Sequence, residues 1–304
     1  MRDKFIDNLL SGTRSEVRAR VWIISDLQQK DPGMAREYME LVVRDFKKIN
    51  LECDRIFCLG DTVAGSDMEL IEEMSSMQEE MLSSLGIPLR YVLGNHELDV
   101  IRNREISPVR IPFYDRVKSH PEWRTTENLD DFYFSEKLGG CHFFFLSDHA
   151  DPDGSWCMNH GKIHGDVNKY PYTKEDMQAL TREISSSNQP VITVSHYAFP
   201  GGNRSEDSNM LAQMLPLPSN VLIHFYGHMH LGDQGWGKEH YKRKISWVNY
   251  HDIPQLDVAS LENRRGDAMR SVFLEIYRNN GLAVYYREHD RQRWSDVYGK
   301  QWKI

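Results

Sequence analysis

The sequence predicts a mixed α/β protein with a layered sheet core. Two observations carry this. Short apolar runs alternate with helix-like stretches through the first half of the chain, and beyond Asp131 the runs come in glycine-turned pairs.

The elements follow in order. RVWIISD (Arg20 to Asp26) reads as the first strand. Asp31 caps a helix with Pro32 in its first turn, and Met34, Tyr38, Leu41, Val42, Phe46 and Ile49 form its apolar stripe. DRIFCLGD (Asp54 to Asp61) is the second strand. Ser66 with Glu69 makes a capping-box pattern before a helix from Leu70 to Leu85, which Gly86 closes. Met74, Met77 and Met81 fall at helical spacing and read as core packing, not as a ligand box. PLRYVLGNHE supplies the third strand and its turn, and DFYFSEKLGGCHFFFLSD a hairpin turning at Gly139-Gly140. Thr173 caps a helix through Ile184, which leads into QPVITVSH and then SNVLIHFYGHMH. SVFLEIYRNNGLAVYYRE is a second hairpin, turning at Asn280-Gly281.

No repeat, low-complexity block or linker divides the chain, so we read one domain over residues 1–304 with a lid insertion near 149–170. That loop carries three histidines, three aspartates and Trp156; a solvated surface loop is the alternative. A net charge of −8 disfavours long nucleic acids as partners. No apolar run reaches the roughly 18 residues of a membrane span. The polar first twenty residues do not read as a signal peptide. Four cysteines without CxxC pairing fit reduced thiols in a cytoplasmic protein. The sequence leaves the oligomeric state open.

The chemistry lies in a regularity. Five apolar segments each end in residues able to bind a metal: IISD (Asp26), FCLGD (Asp61), YVLGNHE (Asn95, His96), ITVSH (His196) and FYGHMH (His228, His230). In an open α/β sheet the carboxyl ends of parallel strands share one edge, where ligands bind. If these strands are neighbours, two aspartates, one asparagine and four histidines meet at one rim. Carboxylates packed so closely repel one another, so a cation is their natural partner. Nitrogen and oxygen donors without cysteine fit Mn, Fe, Zn or Ni, and seven donors suit two ions about 3.5–4 Å apart sharing a carboxylate.

These motifs resemble the calcineurin-like metallophosphoesterases, whose D-x-H, GD, GNH[E/D], H and GHxH series appears in order as SDLQ, GDTVAG, GNHE, VSH and GHMH, from Ser25 to His230. The resemblance implies a two-sheet β-sandwich core flanked by helices, in four α-β-β-α layers, with a dinuclear centre at the strand ends. It assigns Asp26, Asp61 and His230 to one metal, with Asp61 bridging to a second completed by Asn95, His196 and His228. It further implies attack by a metal-bridging hydroxide, with His96 beside the leaving oxygen and bound to no metal.

Two departures stand out. Gln28 replaces the usual histidine of the first motif. We read it as a direct ligand through its amide oxygen, the alternative being a hydrogen bond to metal-bound water. Where the family's serine/threonine phosphatases carry aspartate and arginine, this chain has Ala64 and Gly65, closer to the bacterial phosphodiesterase-like branch. Asp67 and Asp99 are the candidates to orient His96 in their place.

Other histidines carry less. His120, His240 and His289 read as surface residues in charged surroundings, and His142 and His224 as strand positions, not ligands. His251 follows a strand and could approach the pocket; Asn203 and Arg204 could contact phosphate. The expected function is metal-dependent hydrolysis of a small phosphodiester, such as a cyclic nucleotide. The alternatives are a phosphomonoesterase using the same dinuclear site and a non-catalytic scaffold of this fold.

Overall fold

The computed structural model describes residues 16–29, 31–64, 67–97, 111–128, 131, 133–147, 174–198, 218–230, 247–250, 253–262, 268–279, 281–295 and 300–303. Two mixed sheets and flanking helices build the protein, as the resemblance implies.

The first sheet centres on β1 (Val17–Ile24). Parallel β2 (Arg55–Cys58) and β3 (Leu89–Tyr91) lie on one side. Antiparallel β10 (Arg270–Tyr277) lies on the other, followed by β11 (Gly281–Glu288) with β12 (Arg293–Trp294) and β13 (Lys300–Lys303) along its far edge. The second sheet runs β4 (Tyr133–Leu138), β5 (Cys141–Leu146), β6 (Val191–Ser195), β7 (Val221–Tyr226), β9 (Ile253–Asp257) and β8 (Trp247–Tyr250). Its four inner strands are parallel and its two edge strands antiparallel. The five ligand-bearing strands therefore do not share one open sheet. β1, β2 and β3 belong to the first sheet and β6 and β7 to the second, and the rim forms because two sheets face each other.

The sequence of β1 explains why it sits between layers. Val21 and Ile23 point into the core between the sheets, against Phe143, Phe145 and Phe225. Trp22 and Ile24 point out to a second core beneath the helices. A strand covered on both faces reads as a continuous apolar run. Phe57 crosses the inter-sheet core edge-on to Phe143 and Phe145, with ring centroids 5.1 and 4.7 Å apart.

Helices α1 (Pro32–Ile49), α2 (Met68–Ser83) and α3 (Pro112–Ser119) cover the first sheet through Val42, Phe46, Met74, Met77, Met81 and Phe113. The methionines are core, as their spacing predicts. α4 (Lys174–Ser186) lies beside the second sheet, where Glu183 accepts a hydrogen bond from Tyr133 and the Ile184 carbonyl one from Asn220.

Three local readings change. Met34 leaves the stripe of α1 and is exposed, because Ala35 and Met39 turn to the core instead. The cap of α2 is Asp67, whose carboxylate accepts from the Glu69 amide; Ser66 lies outside the described residues. His289 is fully buried, not a surface residue. Its Nδ1 meets Asp45 of α1 at 2.8 Å, which also takes the Arg287 fork, and its Nε2 meets Ser271. Charged neighbours in sequence suggest solvent, yet these partners neutralise one another behind Trp22. Among the described residues no helix is long and apolar enough to cross a membrane. Thr173, Asn280 and the expected lid near 149–170 lie outside the described residues.

Candidate metal centre

Each candidate residue lies beyond the end of a strand, Asn95 and His96 at the start of a helical segment and the others in loops at the rim. Asp26, Asp61, His228 and His230 take left-handed backbone angles, with φ of 55°, 51°, 69° and 47°. Such angles cost a non-glycine residue roughly 1–2 kcal/mol each, so this strain is concentrated where the candidate ligands are.

The turns are tied across the two sheets. The His228 amide donates to Asp26 Oδ2 at 2.9 Å, the Leu261 amide to the Ser25 carbonyl, and the His196 ring meets the Leu59 carbonyl through Nδ1 at 2.6 Å. A Cβ on Gly94 would overlap the Asp61 amide and carboxylate, and one on Gly227 would overlap Ser25. Only hydrogen at these positions lets the turns approach so closely.

The structure brings Asp26, Gln28, Asp61, Asn95, His196, His228 and His230 together, all buried, with His96 half-buried at the edge. Two groups of donors emerge, Asp26–Asp61–His230 and Asp61–His196–His228, each with its ligand atoms within 4.8 Å of one another. Asp61 belongs to both. Asn95 Oδ1 lies 3.1 Å from His196 Nε2 and 2.8 Å from His228 Nδ1, so it joins the second group. Gln28 Nε2 lies 2.8 Å from His230 Nε2, so it joins the first. His96 keeps apart: its amide donates to Asp61 Oδ1, and its Nε2 stands 3.9 Å from Asp61 Oδ2.

The electrostatics ask for positive charge. Burial by itself would lower the His196 imidazole, but the Asp61 carboxylate against it pushes it up to about 10. Burial likewise would raise the Asp61 carboxyl, yet His196 and His96 hold it well below the usual carboxylate range. His230 shows the conflict most directly. Its Nδ1 faces Glu262 Oε1 at 2.9 Å, its Nε2 faces Asp26 Oδ1 at 2.7 Å, and the Gln28 amide nitrogen crowds that same Nε2. A proton on Nε2 would suit Asp26 and clash with the amide; a lone pair there would do the reverse. Gln28 Oε1 is meanwhile buried with no hydrogen-bond partner. A cation between these groups, with the amide turned to present its oxygen, satisfies all of them. The residues fit a metal.

Two residues escaped the sequence reading. Glu97 closes GNHE, a motif that by itself signals no role for it. Its carboxylate accepts from the amides of Asp61, Thr62 and Gly94 and from the Thr62 hydroxyl, fastening the turn after β2 to the turn after β3. Burial, reinforced by Asp61, raises its carboxyl. Glu262 follows β9, whose end reaches the rim only because β9 pairs parallel with β7; no local motif signals that. Asp67 caps α2 through its carboxylate, and Asp99 lies outside the described residues. Asn203, Arg204, His240 and His251 lie outside them too. His224 is a satisfied strand residue, its Nδ1 on Thr193 Oγ1 and its Nε2 on the Tyr197 carbonyl.

The family model of calcineurin-like phosphoesterases matches residues 19–232, the stretch that holds all these donors except Glu262. The chain belongs to that family. This phosphoesterase is accordingly a hydrolase of phosphoric ester bonds, from a family that uses divalent metals. Among solved structures it is similar to a dimetal phosphatase from Danio rerio, at 11% identity and a TM-score of 0.64 over 94% of this chain and 99% of that one. It is also similar to a purple acid phosphatase from yellow lupin, at 15% identity and a TM-score of 0.52 over 93% of this chain and 53% of that one. At such identities the likeness speaks for the fold. Comparison with curated protein sequences gave no match.

Proposed function

We propose that this phosphoesterase hydrolyses a small phosphodiester with two divalent metal ions. The observation that carries the reading is the pair of buried donor groups sharing Asp61. Asp26, Gln28 and His230 would hold one ion with Asp61, and Asn95, His196 and His228 would hold the other. Mn, Fe, Zn or Ni suits such nitrogen and oxygen donors. Bound there, the ions supply Lewis acidity, neutralising phosphoryl charge and acidifying the attacking water. A water that has lost one proton to solvent bonds its oxygen to phosphorus, the ester P–O bond breaks, and His96 gives its proton to the departing alkoxide. His96 suits this role because it is half-buried at the edge of the cluster instead of inside it. The preference for a diester rests on Ala64 and Gly65, which stand where the serine/threonine phosphatases carry aspartate and arginine. We keep the reading of one phosphoesterase domain with a lid near 149–170.

The test is an assay of metal-stripped protein restored with Mn²⁺, comparing p-nitrophenyl phosphate with its bis-ester. Turnover of the bis-ester is expected. Turnover of the monoester alone would make the protein a phosphatase, and no turnover with any divalent ion would point to a scaffold.

A further inference from the structure

We propose that Glu262 is a positioning residue for His230, compensating for the histidine that Gln28 replaces. The proposal rests on the two-metal reading above and adds to it a residue outside every motif of the series.

The geometry carries it. His230 takes a left-handed backbone angle beyond the end of β7. Glu262 Oε1 lies 2.9 Å from His230 Nδ1. A proton held on Nδ1 leaves Nε2 as the lone-pair nitrogen, facing Asp26 and Gln28. A carboxylate behind an imidazole also strengthens it as a ligand. This matters because Gln28 gives the first group a neutral amide, and among the described residues His230 is the one imidazole in that group.

Glu262 is itself held in place. It is buried, its amide donates to Ser260 Oγ at 3.0 Å, and that hydroxyl reaches the Glu262 carbonyl at 3.0 Å and the Asp26 carbonyl at 3.4 Å. Its Oε2 accepts from Gln29 Nε2 at 3.4 Å. The Leu261 amide bonds the Ser25 carbonyl. The segment after β9 is thus fastened to the same turn that carries Asp26 and Gln28. These bonds hold Glu262 against the segment that carries Asp26 and Gln28.

The experiment titrates metal-free protein with Co²⁺, read by calorimetry and by the visible absorption of bound cobalt. Wild type is expected to show two sites. Glu262→Ala should weaken one of them by about 10–100-fold and leave the other unchanged. Glu262→Gln, which keeps an acceptor for Nδ1–H, should recover much of the loss. In a His230→Ala background, Glu262→Ala should add nothing, since its effect passes through that ring. Wild-type affinity at both sites in Glu262→Ala would overturn the proposal. So would equal weakening of both sites, or a full further loss on top of His230→Ala. If Glu262→Ala does not fold, Glu262→Leu, which removes the acceptor but fills the space, takes its place in the cycle with His230→Ala under the same criterion of non-additivity. A wild-type protein that binds no Co²⁺ overturns the two-metal reading itself, and this proposal with it.

Discussion

In the proposed reading, His96 and Gln28 divide the work at this rim. His96 reaches Asp61 through its own amide and a 3.9 Å ring approach. Replacing it with alanine should therefore slow turnover by about 10²–10⁴-fold while metal content, read by atomic emission, stays near that of wild type. Loss of metal would place His96 among the ligands instead. Gln28→His should tighten the first site in a Co²⁺ titration, because imidazole is the softer and stronger donor; an unchanged affinity would remove Gln28 from the ligand set. His224 offers a test of sign. Burial lowers its imidazole to about 4, and the Thr193 and Tyr197 bonds satisfy both nitrogens of the neutral ring. The unfolded ring, near 6.5, takes its proton first. Stability is thus full above pH 6.5 and falls as the pH drops toward 4, by on the order of 3 kcal/mol. Urea unfolding across this range should show that slope in wild type and lose it in His224→Gln.

At the scale of elements, the strand-end turns are the working parts, and their close approach is what glycine permits. Gly94 has no room for a Cβ, since Asp61 of the neighbouring turn already fills that space. Gly94→Ala must push the turns after β2 and β3 apart. Overpacking of this kind costs about 1–3 kcal/mol, and the same displacement should abolish tight Co²⁺ binding. Gly86 supplies the control. It sits after α2 with φ +63° and nothing within 4 Å of an added Cβ. Gly86→Ala should cost only its backbone strain, seen in denaturant unfolding, with metal binding untouched. If both variants bind metal like wild type, the contact at Gly94 has no bearing on the site. Glu97 belongs to this scale as well, because its one carboxylate fastens both turns.

The whole molecule decides whether there is a site at all. Asp26, Asp61 and Asn95 arrive on one sheet, His196, His228 and His230 on the other, and the packing of Phe57 on Phe143 and Phe145 helps to hold the sheets together. A ligand set shared between two layers exists only in the folded state, so metal binding and folding are coupled. An ion at 100 times its Kd adds about 2.7 kcal/mol per site, which for a chain of 304 residues moves the melting temperature by roughly 4 °C per site, or about 8 °C for two. Chelation should lower Tm by that amount and divalent metal should restore it. A Tm indifferent to both would mean that the two sheets meet without binding a metal.

Much was legible in one dimension because its causes are local. Apolar runs mark strands, Asp31 announces its helix, Gly139-Gly140 turns its hairpin, and GNHE and GHMH carry their chemistry within four residues. From these the candidate donors and the fold class could be read without coordinates. Which strands became neighbours could not be, because pairing depends on partners far along the chain. That is why the five strand ends divide between two sheets, why β9 brings Glu262 to the rim, and why His289 goes under α1 to meet Asp45, 244 positions away. The sequence by itself determined which groups could bind a metal. Only the tertiary structure decided which carboxylate stands behind which imidazole, because burial turns each charge into a demand for a partner that local sequence does not name.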